Sequence, residues 1–525
     1  MRRGDAEAAI RSRHLRRAWL YGLGTLTGVM AGLTAVAYRA AAAWLDRLRS
    51  ANFAWPSGLT PLRVAIWIAA CAAAGVATAI MVGKRPLIAG SGIPQVKAAL
   101  MRRLRFDWVR ELPLKFAGGV LALGAGLSLG REGPSIQMGA LAGAGIADVF
   151  RKSEFRRYLA TAGAAAGISA AFNAPLAGVL FCVEELHRSI SPAMLTCAMV
   201  AAVAANAISW LILGDGSVFA LHLSSAMPID LYPFLLLVGI ACGLCGALFN
   251  ASLLASLRGW PRLVPQRGAR LTAVFVVGGL VAVAFPAIAG GGHALVGQAA
   301  RGGLPLAVLA ALAAGKFAFT IVAYGSGAPG GIFLPMLAIG ALIGGILGEA
   351  AALLGLGYGY AANFVIIGMV GFFTAVVRAP ITGAILVSEM SGSFSHFPAL
   401  ILVSIVASLV ASLLRSEPIY DALLARLAPD GKGEGSPAGA AVVLHVPVLE
   451  GSTIVRCKDV QALLPEGSVL IGVVRGEEER LPRPGMEMQP GDVVEVLAGE
   501  SDARRIKSRL LELAAARADE IEAGG

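Results

Sequence analysis

The chain has 525 residues, of which 57% are hydrophobic and only 15% charged, with a formal net charge of +11. Soluble domains carry about 25% charged residues, so a chain this apolar cannot cover a water-facing surface and must turn much of itself toward lipid. A disordered chain, a secreted disulfide scaffold and a collagen-like repeat are excluded by the same figures.

The basic run Arg2, Arg3, Arg11, Arg13, Arg16 and Arg17 precedes the first apolar stretch and, by the positive-inside bias, assigns residues 1–18 to the cytoplasm. No A-x-A-like cleavage site closes a short apolar core there, so the first stretch reads as an anchor, not a secretory signal. Apolar stretches then run near 19–43, 63–82, 116–130, 158–183, 194–213, 231–256, 271–289, 304–324, 332–355, 363–390 and 398–414. Several are too short to cross about 30 Å of hydrocarbon as one straight helix, or are interrupted by the chain's 66 glycines and 26 prolines. Irregular backbone at membrane depth survives only where it is buried in protein or lines a cavity. Broken helices of this kind point to a channel or transporter.

An internal repeat organises these stretches. Lys115-Phe116-Ala117 recurs as Lys316-Phe317-Ala318, a shift of 201 residues, and at that shift Pro134 meets Pro335 and Gly139-Ala140-Leu141 meets Gly340-Ala341-Leu342. Further on, Ala174-Pro175-Leu176-Ala177-Gly178 matches Ala379-Pro380-Ile381-Thr382-Gly383 at a shift of 205. Two homologous halves, about 19–215 and 230–426, with a site between them, are the transporter plan; spacing alone leaves open whether they are parallel or inverted.

After Tyr420 the character changes. Residues 427–440, with Pro429-Asp430-Gly431-Lys432-Gly433-Glu434-Gly435-Ser436-Pro437, read as a flexible linker. Beyond it, β-like runs at Ala441–Val446, Val469–Val474 and Val493–Leu497, a turn at Gln489-Pro490-Gly491-Asp492 and a helical pattern over Asp502–Ala518 predict a small soluble α+β module over 441–518. It is cytoplasmic if the number of membrane crossings is even. The charge divides at the same place: 33 basic and 16 acidic residues before Leu427, but 11 basic and 17 acidic from there on. A basic membrane body fits Lys- and Arg-rich cytoplasmic loops, and the clustered basic patch on a soluble fold that nucleic acid would need is absent.

Three Gly-rich motifs stand where helices should start: Gly90-Ser91-Gly92-Ile93-Pro94, Gly130-Arg131-Glu132-Gly133-Pro134 and Gly330-Gly331-Ile332-Phe333-Leu334-Pro335. Glycine lets backbone turn and approach a ligand, and proline suits a first helical turn. A helix N-terminus offers unpaired N–H groups and about half a positive charge, an anion site with no Lys or Arg in it. Release requires that weakness, because a buried full cation would hold an anion too tightly.

These motifs, in this order and spacing, together with Asn173-Ala174-Pro175-Leu176-Ala177-Gly178 and Ser416-Glu417-Pro418-Ile419-Tyr420, resemble the signature of the CLC chloride channel and transporter family over residues 20–426. The resemblance implies an all-α polytopic membrane protein of two inverted-repeat halves with broken helices over 19–426, assembled as a homodimer with an anion path in each subunit. It implies that the Ser91 and Tyr420 hydroxyls and the backbone N–H groups of Ile332 and Phe333 coordinate chloride. Ser91 favours chloride, since the fluoride-exporting branch departs from the first motif and from the Gly-Pro ending of the second.

Glu132 is an acid set among donors that attract anions. Ionised, its carboxylate can occupy an anion site; protonated, it can leave, so proton and anion compete for one position. The family assigns this place to the external gating glutamate; a structural pair with Arg131 is the plainer reading. Glu184 and Glu185 close an apolar stretch, where buried carboxylates cost about 2.5–3.5 kcal/mol on insertion scales and imply a use or a partner. The resemblance puts Glu185 at the internal proton-transfer glutamate of antiporter members, with Glu184 beside it as a supporting or salt-bridging residue; a solvated interfacial pair is the alternative. Lys115 matches the family. Gln95 and Lys97 depart from it, standing where antiporter members carry acids, and a cation near Glu185 would pair with it or alter its proton affinity.

The tail, through Ile471-Gly472-Val473-Val474-Arg475, Leu481-Pro482-Arg483 and Pro490-Gly491-Asp492, is similar to the C-terminal subdomain of potassium-conductance regulators (TrkA-C/RCK-C-like). That implies a regulatory or dimerising role with an unidentified small ligand, against the alternative of a passive appendage. Cys242 and Cys245 lie in one apolar helix with no second pair nearby and read as packing residues. His293, after Gly290-Gly291-Gly292, reads as a loop residue. No phosphate-binding loop, zinc-protease signature, metal site or cofactor site is present in the sequence. The expectation is therefore a chloride/proton antiporter of a bacterial inner membrane with both termini cytoplasmic, not an enzyme. A passive voltage- or pH-gated chloride channel and a cation transporter are the rivals.

Overall fold

The computed structural model describes residues 3–52, 60–187, 191–427 and 441–515, apart from 215, 220, 222, 225, 357–358, 450, 457–459, 476–477, 481, 484–485 and 500–501. Its contacts divide the chain into two units, Met1–Leu427 and Ala428–Gly525. Most of the linker expected over 427–440 lies outside the described residues.

The first unit is helical and built twice. Helices α1 (Arg3–Asn52), α2 (Pro61–Lys84), α3 (Ile93–Leu100), α4 (Trp108–Gly124), α5 (Glu132–Val149), α6 (Arg156–Phe172), α7 (Pro175–Phe181) and α8 (Pro192–Leu213) make the first half. The second half follows in the same order as α9 (Tyr232–Leu263), α10 (Arg267–Ala284), α11 (His293–Ala300), α12 (Leu306–Gly325), α13 (Phe333–Leu353), α14 (Ala361–Val377), α15 (Pro380–Ser391) and α16 (Phe397–Leu413). One further helix, α17 (Ile419–Leu427), carries Tyr420. Among the described residues, seven helices are long and apolar enough to cross a membrane; most of the others are shorter, which is the broken-helix pattern that the glycines and prolines predict.

The breaks have local causes. The stretch read as 158–183 divides at Asn173, which ends α6 in the left-handed region at φ 52°, and 363–390 divides at Arg378 with φ 69°. Prolines 175 and 380 then open α7 and α15 in their first turns, where the missing N–H costs nothing. His293 is not a loop residue: it is the first residue of α11. The triple glycine before it masks a helix start, because Gly292 at φ 96° is the left-handed turn that launches the helix.

Small residues hold the halves together internally, as expected where lipid supplies no hydrophobic drive between helices. Gly139 on α5 faces Gly163 on α6 so closely that a Cβ on either would stand 2.0 Å from the other's carbonyl oxygen, and the repeat partners Gly340 and Gly368 meet likewise across α13 and α14. Cys242 packs against Gly371 on α14, a buried thiol used as a small apolar group.

The second unit holds a four-stranded antiparallel sheet, β1 (Ala441–Pro447), β2 (Ser468–Arg475), β3 (Glu478–Arg480) and β4 (Val493–Gly499), in the order β1-β4-β2-β3. Two short helical turns, α18 (Thr453–Arg456) and α19 (Val460–Leu463), follow β1, and α20 (Ala503–Ala515) buries Ile506 and Leu510 with Val446, Val494 and Val496. The helix expected to reach Ala518 is described only as far as Ala515. The expected turn is real: buried Asp492 accepts the Gln489 N–H and both Nε and Nη2 of Arg475, each at 2.8 Å. The charged strand β3 was not expected, since Glu-Glu-Arg carries no strand propensity and pairs only as an edge.

Candidate functional site

The three Gly-rich motifs converge. Gly130 and Gly331, equivalent residues of the two repeats, exchange both backbone hydrogen bonds, Gly130 N–H to Gly331 O at 2.6 Å and the reverse at 2.7 Å, in an isolated antiparallel bridge. Two equivalent residues that exchange bonds in this way are related by a local two-fold axis, so equivalent segments run in opposite directions. Gly330 N–H donates to Gly90 O at 3.0 Å, which ties the first motif to the third. Gly133 completes the join, for a Cβ there would stand 2.7 Å from the Ser91 carbonyl oxygen.

Each motif launches a helix, as predicted: α3 after Gly90-Ser91-Gly92, α5 at Glu132 and α13 at Phe333 with Ile332 as its cap. Their first-turn N–H groups have no intrahelical acceptor. Ser91 is buried, and its Oγ accepts weakly from the Ile93 N–H at 3.4 Å and the Tyr324 hydroxyl at 3.5 Å. Buried Tyr420 has no hydrogen-bond partner for its hydroxyl among the described residues. Its ring lies edge-on to Phe181 at 6.5 Å, and Phe181 and Phe172 flank Phe333 at 6.2 and 5.2 Å. The result is an aromatic wall around two hydroxyls and the starts of helices.

Glu132 sits at the centre of this join with 0% exposure; neither carboxylate oxygen makes a full hydrogen bond among the described residues, and its own N–H and that of Leu334 in the first turn of α13 approach it weakly. A Cβ on Gly130 would stand 2.3 Å from its Oε2, so glycine is what gives the carboxylate room. Arg131 approaches Oε1 with Nε at 3.7 Å, an ion contact without a hydrogen bond. A desolvated carboxylate held this loosely is costly, and an incoming proton would relieve that cost.

Glu185 lies on a π-helical turn, Cys182–His187, that follows α7; such turns concentrate at functional sites. Lys97 on α3 meets Glu185 Oε1 at 2.8 Å and Asp421 Oδ1 at 2.5 Å, and its own side chain is only 3% exposed. One ammonium therefore links the helix behind Ser91, the turn bearing Glu185 and the helix bearing Tyr420. Gln95 is spent on the loop, donating to Ala89 O at 2.8 Å. Lys115 also braces that loop, giving its ammonium to Ile88 O at 2.9 Å and Gly90 O at 2.7 Å.

Glu184 has a structural partner in the other repeat. It accepts the Ile381 N–H at 3.3 Å and the Thr382 N–H and hydroxyl at 2.7 and 2.5 Å, so it caps α15. Glu389, its equivalent at a shift of 205, accepts the Leu176 and Ala177 N–H groups at 3.1 and 2.8 Å and caps α7. The two half-helices are thus capped reciprocally across the two-fold axis. Glu389→Ala is expected to cost about 1–2 kcal/mol, the size of a lost N-cap, read as a lower thermal midpoint in detergent; Glu389→Gln should recover part of it, and an unchanged midpoint in the alanine variant would remove the cap's contribution. Sequence reasoning missed Tyr324, Asp421 and Glu389. Only Glu389 left a signal, its place 205 residues after Glu184.

The fold and this centre define a polytopic membrane transport protein of the duplicated, broken-helix class. Residues 73–412 match the family described as voltage gated chloride channel, and the chain belongs to that family. It is 37% identical over 422 residues to the H(+)/Cl(-) exchange transporter ClcA of Cronobacter sakazakii, covering 77% of this chain and 89% of that protein. It is 33% identical over 451 residues to ClcA of Yersinia pseudotuberculosis, covering 82% and 91%. Among solved structures it is similar to a slow cyanobacterial Cl-/H+ antiporter, with a TM-score of 0.74, 31% identity, and coverage of 78% of this chain and 98% of that one. A CLC-type fluoride/proton antiporter shares the fold at a TM-score of 0.64 and 23% identity, over 77% and 97% of the two chains.

Proposed function

We propose that the chain is a chloride/proton antiporter. The observation that carries this reading is the Glu132 carboxylate, fully buried where three helix starts join and approached by the backbone N–H groups of Glu132 and Leu334. Chloride would be held by the Ser91 and Tyr420 hydroxyls and the N–H groups of Ile332 and Phe333. These neutral donors replace part of a hydration shell without trapping the ion. Glu132 competes with chloride when ionised and withdraws when protonated, so each ion's occupancy governs the other's. Glu185 takes the proton from the other side, with Lys97 setting how readily it does so.

Both termini are cytoplasmic on this reading, in a bacterial inner membrane, and two subunits pair as a homodimer with one path each. The C-terminal sheet module regulates transport as a TrkA-C/RCK-C-like domain for a small ligand. Reversal potentials in liposomes under opposed chloride and pH gradients test the central claim. An antiporter's reversal moves with both gradients. A potential that follows chloride alone would make the protein a channel, and one that follows the cation gradient would make it a cation transporter.

A further inference from the structure

Lys115 and the Gly330 N–H fix the backbone beside Ser91, but other groups meet its hydroxyl. The Ile93 N–H approaches Oγ at 3.4 Å and the Tyr324 hydroxyl at 3.5 Å, both as donors. A serine oxygen accepts at most two hydrogen bonds and gives one. With two donors aimed at its lone pairs, the Ser91 proton turns away from both, and among the described residues no acceptor meets it. Both contacts are long. A hydroxyl that gives its proton to an anion becomes a better acceptor, so each contact tightens as the anion binds.

Tyr324 is held rigidly. It is buried in the last turn of α12, where the final carbonyls lack helical donors. Helix α9 supplies them: the Trp260 Nε1–H donates to Val322 O at 3.0 Å, one turn on from the Ser256 hydroxyl, which donates to Ile321 O at 3.0 Å. A Cβ on Gly325 would stand 2.0 Å from Ser256 Oγ, so the two helices are already at closest approach. Just beyond, the Arg270 Nε–H holds Ser326 O at 3.0 Å. The other repeat is the internal comparison. Its loop Gly290-Gly291-Gly292 keeps the backbone of the Ser91 loop, with φ 62° and 96° at the outer glycines against 64° and 93° at Gly90 and Gly92, but has Gly291 in the place of Ser91. At the shift of 201, Tyr324 corresponds to Leu123, and Leu123 and Gly291 line one cavity. The two hydroxyls are present together at one of the equivalent places and absent together from the other. The phenol stands where there is a serine to orient.

We infer that Tyr324 is the positioning residue of the anion centre: its hydroxyl, donated to Ser91 Oγ, turns the Ser91 O–H toward the chloride. The inference rests on the antiporter reading for its anion but has its own test. Tyr324→Phe keeps the ring that fills the site and removes only the hydroxyl. Calorimetric titration of the full-length protein with chloride should then show about fivefold weaker binding, the scale of one net hydrogen bond. Ser91→Ala should weaken binding as well, and adding Tyr324→Phe to Ser91→Ala should cost nothing further, because no hydroxyl is left to orient. Where binding is too weak for calorimetry, the chloride concentration for half-maximal flux in liposomes closes the same cycle. Wild-type affinity in Tyr324→Phe, or an equal loss with and without Ser91, overturns the inference. Tighter binding in Tyr324→Phe overturns it too, since Ser91 would then be giving its proton to the phenol. These results spare the antiporter reading; a wild-type protein that binds and moves no chloride overturns that reading itself.

Discussion

Glu132→Ala should keep chloride moving and stop protons from moving uphill. The carboxylate is fully buried and meets its own N–H and that of Leu334 only weakly, so little structure depends on its ionised form. Alanine removes the competitor for the anion position and the only acid within the three motifs. Chloride then meets helix starts and hydroxyls with nothing to displace. In liposomes, a chloride gradient should no longer acidify or alkalinise the interior, while chloride efflux persists. The pH response should flatten as well, losing the change of up to about tenfold per pH unit that a one-proton competition allows. Glu132→Gln, which mimics the protonated acid, should behave similarly. If the alanine variant kept the wild-type pH response, Glu132 would be a structural carboxylate partnered by Arg131 at 3.7 Å, and the gate would have to be sought elsewhere.

Much of this site is legible in the sequence because each element carries its own punctuation. Gly130-Arg131-Glu132-Gly133-Pro134 and Gly330-Gly331-Ile332 announce helix starts locally, and their common shift announces the duplication. What the sequence does not carry is the bonding between distant segments. Glu184 and Thr382 meet across nearly 200 residues, so Glu184 looks like a companion of Glu185 when it is a cap for a helix in the other repeat. The Gly130–Gly331 exchange shows that the two halves are related by a local two-fold axis, because the mutual direction of two segments is a property of hydrogen bonds and not of shifts. His293 is misread for a third reason: three glycines suggest a loop, yet two of them adopt the same left-handed angles as the glycines flanking Ser91.

Lys97 supplies the second large effect. Its ammonium is the shared partner of Glu185 and Asp421, and a proton arriving at Glu185 must first weaken that pair. Lys97→Met removes the ammonium that Glu185 and Asp421 share. Protonation of Glu185 then becomes easier, since the ammonium 2.8 Å from its carboxylate is gone. The pH profile of coupled transport should move to higher pH by about one unit or more, the scale on which an opposite charge within about 4–6 Å acts on an acid. Tyr420 adjoins Asp421, so loosening α17 should also raise the chloride concentration needed for half-maximal flux. Lys97→Arg restores the charge and should recover the profile. A merely structural lysine would give lower yield and a lower thermal midpoint in Lys97→Met with the pH profile unmoved. That outcome would separate Lys97 from the proton path and leave Glu185 to titrate without it.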